Sequence, residues 1–114
     1  MPEWKDVVEI ATRFPGVVEG MSWGTPSLSV RKKFMCRMRT NPDALVVRVI
    51  DLADRDALLK SDPEVFFITP HYQGYPALLV RLEAVGSEML SELIEDAWRI
   101  QAAKRVIAAF DAGE

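Results

Sequence analysis

"TPHYQGYP", residues Thr69 to Pro76, gathers the only histidine and both tyrosines of the chain into eight positions. Histidine titrates near neutrality, so His71 is the first candidate for proton transfer. Acid–base work also needs a partner that orients or charges the imidazole. No Asp, Glu, Cys or Ser flanks His71 in the sequence, and a loop histidine that only hydrogen-bonds is the expectation. The chain therefore reads as no enzyme. One His and one Cys supply no zinc-ligand spacing. The carboxylates at Asp54, Asp56, Asp62 and Glu64, and at Glu88, Glu92, Glu95 and Asp96, fit solvated helix faces better than a hard-cation site. With no G-x-G-x-x-G and no phosphate loop, neither metal nor cofactor is expected. In the same eight residues, Pro70 and Pro76 stiffen the segment and Gly74 permits a positive-φ turn. Tyr72 and Tyr75 bring apolar bodies with polar tips, suited to a cleft wall or to packing on Trp98.

The second chemical feature is charge. The whole chain carries −3, yet six Lys/Arg stand against one Asp between Arg31 and Ile50. Acidic segments follow at Asp51–Glu64 and Glu83–Trp98. Within "KFMCRMR", Phe34, Cys36 and Met38 alternate with Lys33, Arg37 and Arg39, the mark of a half-buried antiparallel strand with one basic face. Cys36 then reads as a buried, inert thiol. "NPDA" makes a turn, and "LVVRVI" returns as the hairpin partner. Counting outward pairs Thr40 with Leu45, Met38 with Val47 and Arg37 with Arg48. Like charges across a ladder destabilise it unless they are neutralised. Glu19 on a neighbouring strand could do this, and so could an external anion such as phosphate.

The elements that position these groups follow from periodicity. Trp4, Val7, Val8, Ala11 and Phe14 recur at helical spacing until Pro15-Gly16 ends the pattern. "VVEGM" and "SLSV", separated by "WGTP", read as strands. Asp51 is a plausible N-cap for a short helix to about Lys60. "DPEVFFI" and "ALLVRL" are strands joined by the His71 loop. Ser87 to about Ala112 is helical, but a straight rod of that length would span roughly 40 Å. The apolar phase also drifts after Trp98, which predicts a bend or break between Ile100 and Lys104. The order α-β-β-β-β-α-β-β-α predicts an α+β fold. It has a single antiparallel sheet of about six strands, an N-terminal helix, a short middle helix and a long or broken C-terminal helix. Trp4, Phe14, Phe34, Met38, Val47, Val49, Leu93 and Trp98 are the expected core.

A chain of 114 residues makes one domain, 1–114. No apolar run approaches the roughly 20 residues of a membrane span. The N-terminus lacks a basic segment followed by an apolar core, and a single cysteine suits a reducing compartment. The expectation is a cytoplasmic protein with no membrane partner.

Three stretches, "PGVVEGMSWGTPSLSV", "DPEVFFITPHYQGYPALLVRL" and "LIEDAWRIQAAKRVIAAF", together resemble the MmcQ/YjbR family in order and over nearly the whole chain. The chain departs from the resemblance at Ala103, where close relatives often carry Pro. The resemblance implies a CyaY-like (frataxin-like) topology and a DNA-binding role through a "double-wing" arrangement; it implies no catalytic residues. Two readings remain open. One is weak, sequence-independent DNA binding by the basic hairpin through Lys32, Lys33, Arg37, Arg39 and Arg48. The other is a protein- or small-ligand-binding module built on the aromatic loop and last helix, through Trp23, His71, Tyr72, Tyr75, Trp98 and Arg99.

Overall fold

The computed structural model describes residues 2–22, 24–40 and 43–113. The chain runs α1 (Trp4–Ala11), β1 (Val17–Ser22), β2 (Thr25–Val30), β3 (Lys33–Arg39), β4 (Ala44–Arg48), α2 (Leu52–Ser61), β5 (Phe66–Phe67), a 3-10 turn (Pro70–Tyr72), β6 (Ala77–Val80), α3 (Ser87–Gln101) and α4 (Lys104–Asp111). The six strands form one antiparallel sheet in the order β1-β2-β3-β4-β6-β5. This is the expected α+β architecture.

The central strands explain the layering. Ala44–Val47 and Ala77–Val80 are buried at every position, so both faces of the sheet must be covered there. One face carries Leu28, Cys36, Leu45, Val47, Leu78 and Val80 against the helices, with Leu90, Ile94 and Trp98 of α3 at the centre. The opposite face carries Ala44, Val46, Ala77 and Leu79, and it is capped by Tyr72 from the His71 loop. A loop thus does the work that a helix layer does elsewhere.

Local signals set the helix ends. The backbone N–H of Glu3 donates to Asp6 Oδ2 at 2.7 Å, closing the start of α1. Asp51 caps α2 as expected, its Oδ1 accepting from the Asp54 N–H at 2.8 Å. The last helix breaks inside the predicted interval. Ala102 (φ −76, ψ 157) and Ala103 (φ −68, ψ 142) are extended, although Pro is absent. The break lets Val106, Ile107 and Phe110 return to the core beside Trp98. Bidentate bonds from Arg99 to Asp111, at 3.0 and 2.7 Å, tie α4 back to α3. Gln101 Nε2 donates to the Phe34 carbonyl at 2.8 Å and fixes the end of α3 to β3.

Two features of the β2–β3–β4 ribbon depart from the sequence expectation. Leu28 pairs with Cys36 but Ser29 pairs with Phe34, so Met35 is an extra residue in a bulge. Met35 and Cys36 are both buried on the helix side, and Phe34 moves to the opposite face beside Val46 and Tyr72. The expected alternation of Phe34 with Cys36 and Met38 is thereby corrected. The hairpin register is also two residues from the counted one. Arg37 lies opposite Val46 and Met38 opposite Leu45, while Arg48 pairs with Ala77 on β6. No Arg37–Arg48 repulsion exists to be neutralised. Residues 41 and 42 of the "NPDA" turn lie outside the described residues. The β2–β3 turn is formed by Arg31 (φ 56) and Lys32 (φ 63), both left-handed, which is the backbone of a two-residue type I′ hairpin.

Candidate ligand-binding cleft

Arg37 projects from β3 onto the face opposite the helices. Its Nη2 donates to the Tyr72 hydroxyl at 2.6 Å, and Nη1 donates to Thr25 Oγ1 at 3.5 Å and to the Met38 carbonyl at 3.2 Å. All three acceptors are neutral. Among the described residues no carboxylate pairs with this guanidinium, and a partly buried cation with only neutral partners remains available to an anion.

Two clefts meet at the Arg37–Tyr72 bond, and Arg37, His71 and Tyr72 line both. One, of about 400 Å³, is completed by Ser22, Phe34, Val46 and Tyr75. The other, of about 380 Å³, is completed by Thr25, Arg39, Thr40 and Thr69. The Thr69 hydroxyl is buried and makes no hydrogen bond among the described residues, an unusual state for a polar atom. Among the described residues neither lining contains a carboxylate.

The loop over these clefts is held by a residue that sequence reasoning passed over. Arg55 of α2 is buried, and its Nη1 donates to the carbonyls of Tyr72 and Gln73 at 2.9 Å and of Tyr75 at 3.3 Å. Asp56 neutralises it at 3.0 Å. Three carbonyls converging on one guanidinium fix the loop backbone without a helix or sheet ladder. The only sequence signal was an arginine among acidic residues, which reads equally well as a solvated helix face. Gly74 does not adopt the expected positive φ, because the turn closes instead through Tyr72 N–H to the Thr69 carbonyl and Gln73 N–H to the Pro70 carbonyl.

The expected site residues separate into groups. His71 and Tyr75 are exposed on the loop, and Tyr72 is buried with only its polar edge reaching Arg37. The His71 ring meets Tyr72 edge-on at 5.0 Å. Arg37 and Arg39 line the clefts, whereas Lys32 and Lys33 are exposed at the β2–β3 turn. Arg48 stands opposite Ala77, on the sheet face of Val46, and also lines a separate pocket of about 350 Å³ with Asp54, Asp96 and Arg99. Trp98, placed provisionally at the ligand cleft, is wholly buried on the helix side. Its Nε1 donates to the Pro15 carbonyl at 2.9 Å, and its ring lies 5.1 Å from those of Phe14 and Phe110. It is scaffold. Arg99 is engaged by Glu95 and Asp111 and lies away from the loop clefts. Trp23 lies outside the described residues. Cys36 is fully buried, and burial pushes its thiol up to about 12, which leaves almost no thiolate for chemistry near neutral pH.

The YjbR family model matches residues 12–100. The chain belongs to the YjbR family. Similar proteins include the uncharacterized protein Mb2600 of Mycobacterium bovis and the uncharacterized protein Rv2570 of Mycobacterium tuberculosis strain H37Rv. Each is 35% identical over 124 residues, spanning 96% of this chain and 96% of the relative. No solved structure matches significantly. The YjbR match covers the cleft-lining strands β1 to β4, the buried Arg55 and the entire His71 loop. No helix among the described residues is long and apolar enough to cross a membrane.

Proposed function

We propose that this YjbR-family chain is a non-enzymatic, cytoplasmic binding module whose ligand is a small anion held at Arg37. The observation that carries this reading is the guanidinium itself, fixed between two clefts by bonds to neutral oxygens alone. A site with that cation, a buried unpaired hydroxyl and no lining carboxylate favours negative charge on electrostatic grounds. The absence of an acid–base partner beside His71 and the burial of Cys36 favour binding over catalysis. The test is an NMR titration of labelled protein with inorganic phosphate at low ionic strength. Shifts should centre on Thr25, Arg37 and Thr69 and disappear in Arg37→Met. Shifts that persist in the variant, or that map elsewhere, would remove the reading.

A second reading is weak nucleic-acid binding by the β2–β3 hairpin acting as a wing. Three consecutive exposed basic residues, Arg31, Lys32 and Lys33, at its turn favour it. One phosphate contact from each of the three would give a log–log salt slope of about −2.7 on duplex DNA. Replacing Lys32 and Lys33 by Gln should flatten that slope by about 1.8. A slope near zero for the wild-type protein would dismiss it.

A further inference from the structure

The two clefts differ in chemistry although they share a wall. The Thr25 side presents the hydroxyls of Thr40 and Thr69 together with the guanidiniums of Arg37 and Arg39, while the Thr25 hydroxyl donates to the Ser22 carbonyl at 2.9 Å. The Tyr75 side presents Phe34, Val46 and the rings of Tyr72 and Tyr75. Tyr75 keeps 44% of its surface exposed, unusual for a tyrosine in a loop so firmly held. Hydroxyls and guanidiniums match the oxygens of a tetrahedral anion. Exposed aromatic rings match a planar π-face. The Arg37–Tyr72 bond joins the two halves, so one molecule bridging it would satisfy both.

We propose that the paired clefts take a single ligand, a phosphate monoester of an aromatic or heteroaromatic group. The phosphate lies among Thr40, Thr69 and Arg37, and the ring lies against Tyr75 and Phe34. This rests on the anion reading of Arg37 and adds the second half of the ligand. Three lining features support the division. The Thr69 hydroxyl, which has no hydrogen bond among the described residues, gains one from the phosphate once its side chain turns toward the cleft. The ring side has an apolar wall in the half-buried Phe34 ring, seated over the fully buried Val46. Arg55 holds the Tyr72, Gln73 and Tyr75 carbonyls, so the aromatic wall is set before a ligand arrives and little ordering is required on binding.

The experiment compares phenyl phosphate, inorganic phosphate and phenol on the full chain by calorimetry and amide shifts. Phenyl phosphate should bind about 5- to 100-fold more tightly than inorganic phosphate, the range that base–aromatic stacking spans. Its shifts should cover both the Thr69 and the Val46 sides. Tyr75→Ala should reduce that ratio to about 2, and because Tyr75 is exposed the amide spectrum away from the loop should stay in place, as a check on folding. Thr69→Val should weaken both phosphate compounds. Phosphate binding with a ratio below about 2 would overturn the two-part ligand while leaving the anion site standing. Phenol binding as tightly as phenyl phosphate would also overturn it. If neither phosphate compound binds, the anion reading fails and takes this inference with it. Adenosine 5′-monophosphate and a short 5′-phosphorylated single strand then separate a free ligand from a strand end, the tighter of the two naming the source.

Discussion

Replacing Tyr72 by Phe removes one atom from the junction of the two clefts, the hydroxyl that accepts from Arg37 at 2.6 Å. The ring should stay where it is, since Tyr72 is only 5% exposed and packs on Ala44, Val46, Ala77 and Leu79. A hydrogen bond to a charged group contributes about 1.5–3 kcal/mol when it is well shielded. Arg37 is half-buried, so water replaces part of what is lost, and the expected destabilisation is about 1 kcal/mol. Arg37→Met keeps the apolar stem and removes the donor. The two single variants and the double variant make a cycle whose coupling should be about 0.5–1.5 kcal/mol. Urea unfolding followed by far-UV circular dichroism measures it, with midpoint shifts at constant slope. For a chain of this length, 1 kcal/mol corresponds to a melting-temperature change of about 4 °C. A coupling at or below about 0.3 kcal/mol is what independent sites give. That result would mean that Tyr72 does not hold Arg37, and both cleft readings would lose their fixed cation.

Four further outcomes test the framework. Arg55→Met should cost about 1–3 kcal/mol by leaving the Gln73 carbonyl unpaired and the Tyr72 and Tyr75 carbonyls with one backbone donor each, and hydrogen exchange at Tyr72, Gln73 and Tyr75 should accelerate first; a loss under about 1 kcal/mol would show the loop to be self-supporting. Trp98→Phe should cost about 1–3 kcal/mol through the orphaned Pro15 carbonyl, and Trp98→Ala about 3–5 kcal/mol, both read by denaturant midpoints. Ala103→Pro should raise stability by about 0.4–1 kcal/mol, because φ −68 at Ala103 and ψ 157 at Ala102 already suit a proline and the residue before it; a lower melting temperature would contradict those dihedrals. Partial burial, then the charges of Glu95, Asp54 and Glu92, hold the Asp96 carboxyl above its ordinary range despite Arg99. The folded state therefore binds its proton more tightly than the unfolded chain, and the stability this contributes is lost as pH rises through the raised pKa. Asp96→Asn should stabilise the protein at neutral pH, with the gain vanishing below the carboxylate range; a gain independent of pH would rule out this cause.

Much of the architecture was legible because it depends on near neighbours. Asp51 caps α2 through a residue three positions away, and the 3.6-residue apolar spacing of Trp4 to Phe14 depends on nothing distant. The drift of apolar phase after Trp98 placed the α3–α4 break without a proline. The hairpin register was not legible in the same way. A two-residue slip leaves every side chain on its original face, so the hydrophobic pattern that selects faces is blind to it. Only the pairing of Arg37 with Val46 and of Arg48 with Ala77 decided which arginine meets the loop. The bulge at Met35 was hidden for a related reason. It reverses the alternation at Phe34 through hydrogen bonding to β2, which the spacing within β3 does not encode.

The candidate site divides along the same line. Composition alone singled out His71, Tyr72 and Tyr75, since one short stretch holds so many stiff and aromatic residues. The sequence could not place Trp98 on the far side of the sheet from them. Arg55 and Arg37 became notable only once the chain was folded. One is defined by three carbonyls 17 to 20 residues away, the other by a hydroxyl 35 residues away. Which groups line a cleft is a property of sheet order and loop path, set by burial summed over the whole chain, and no local spacing carries it.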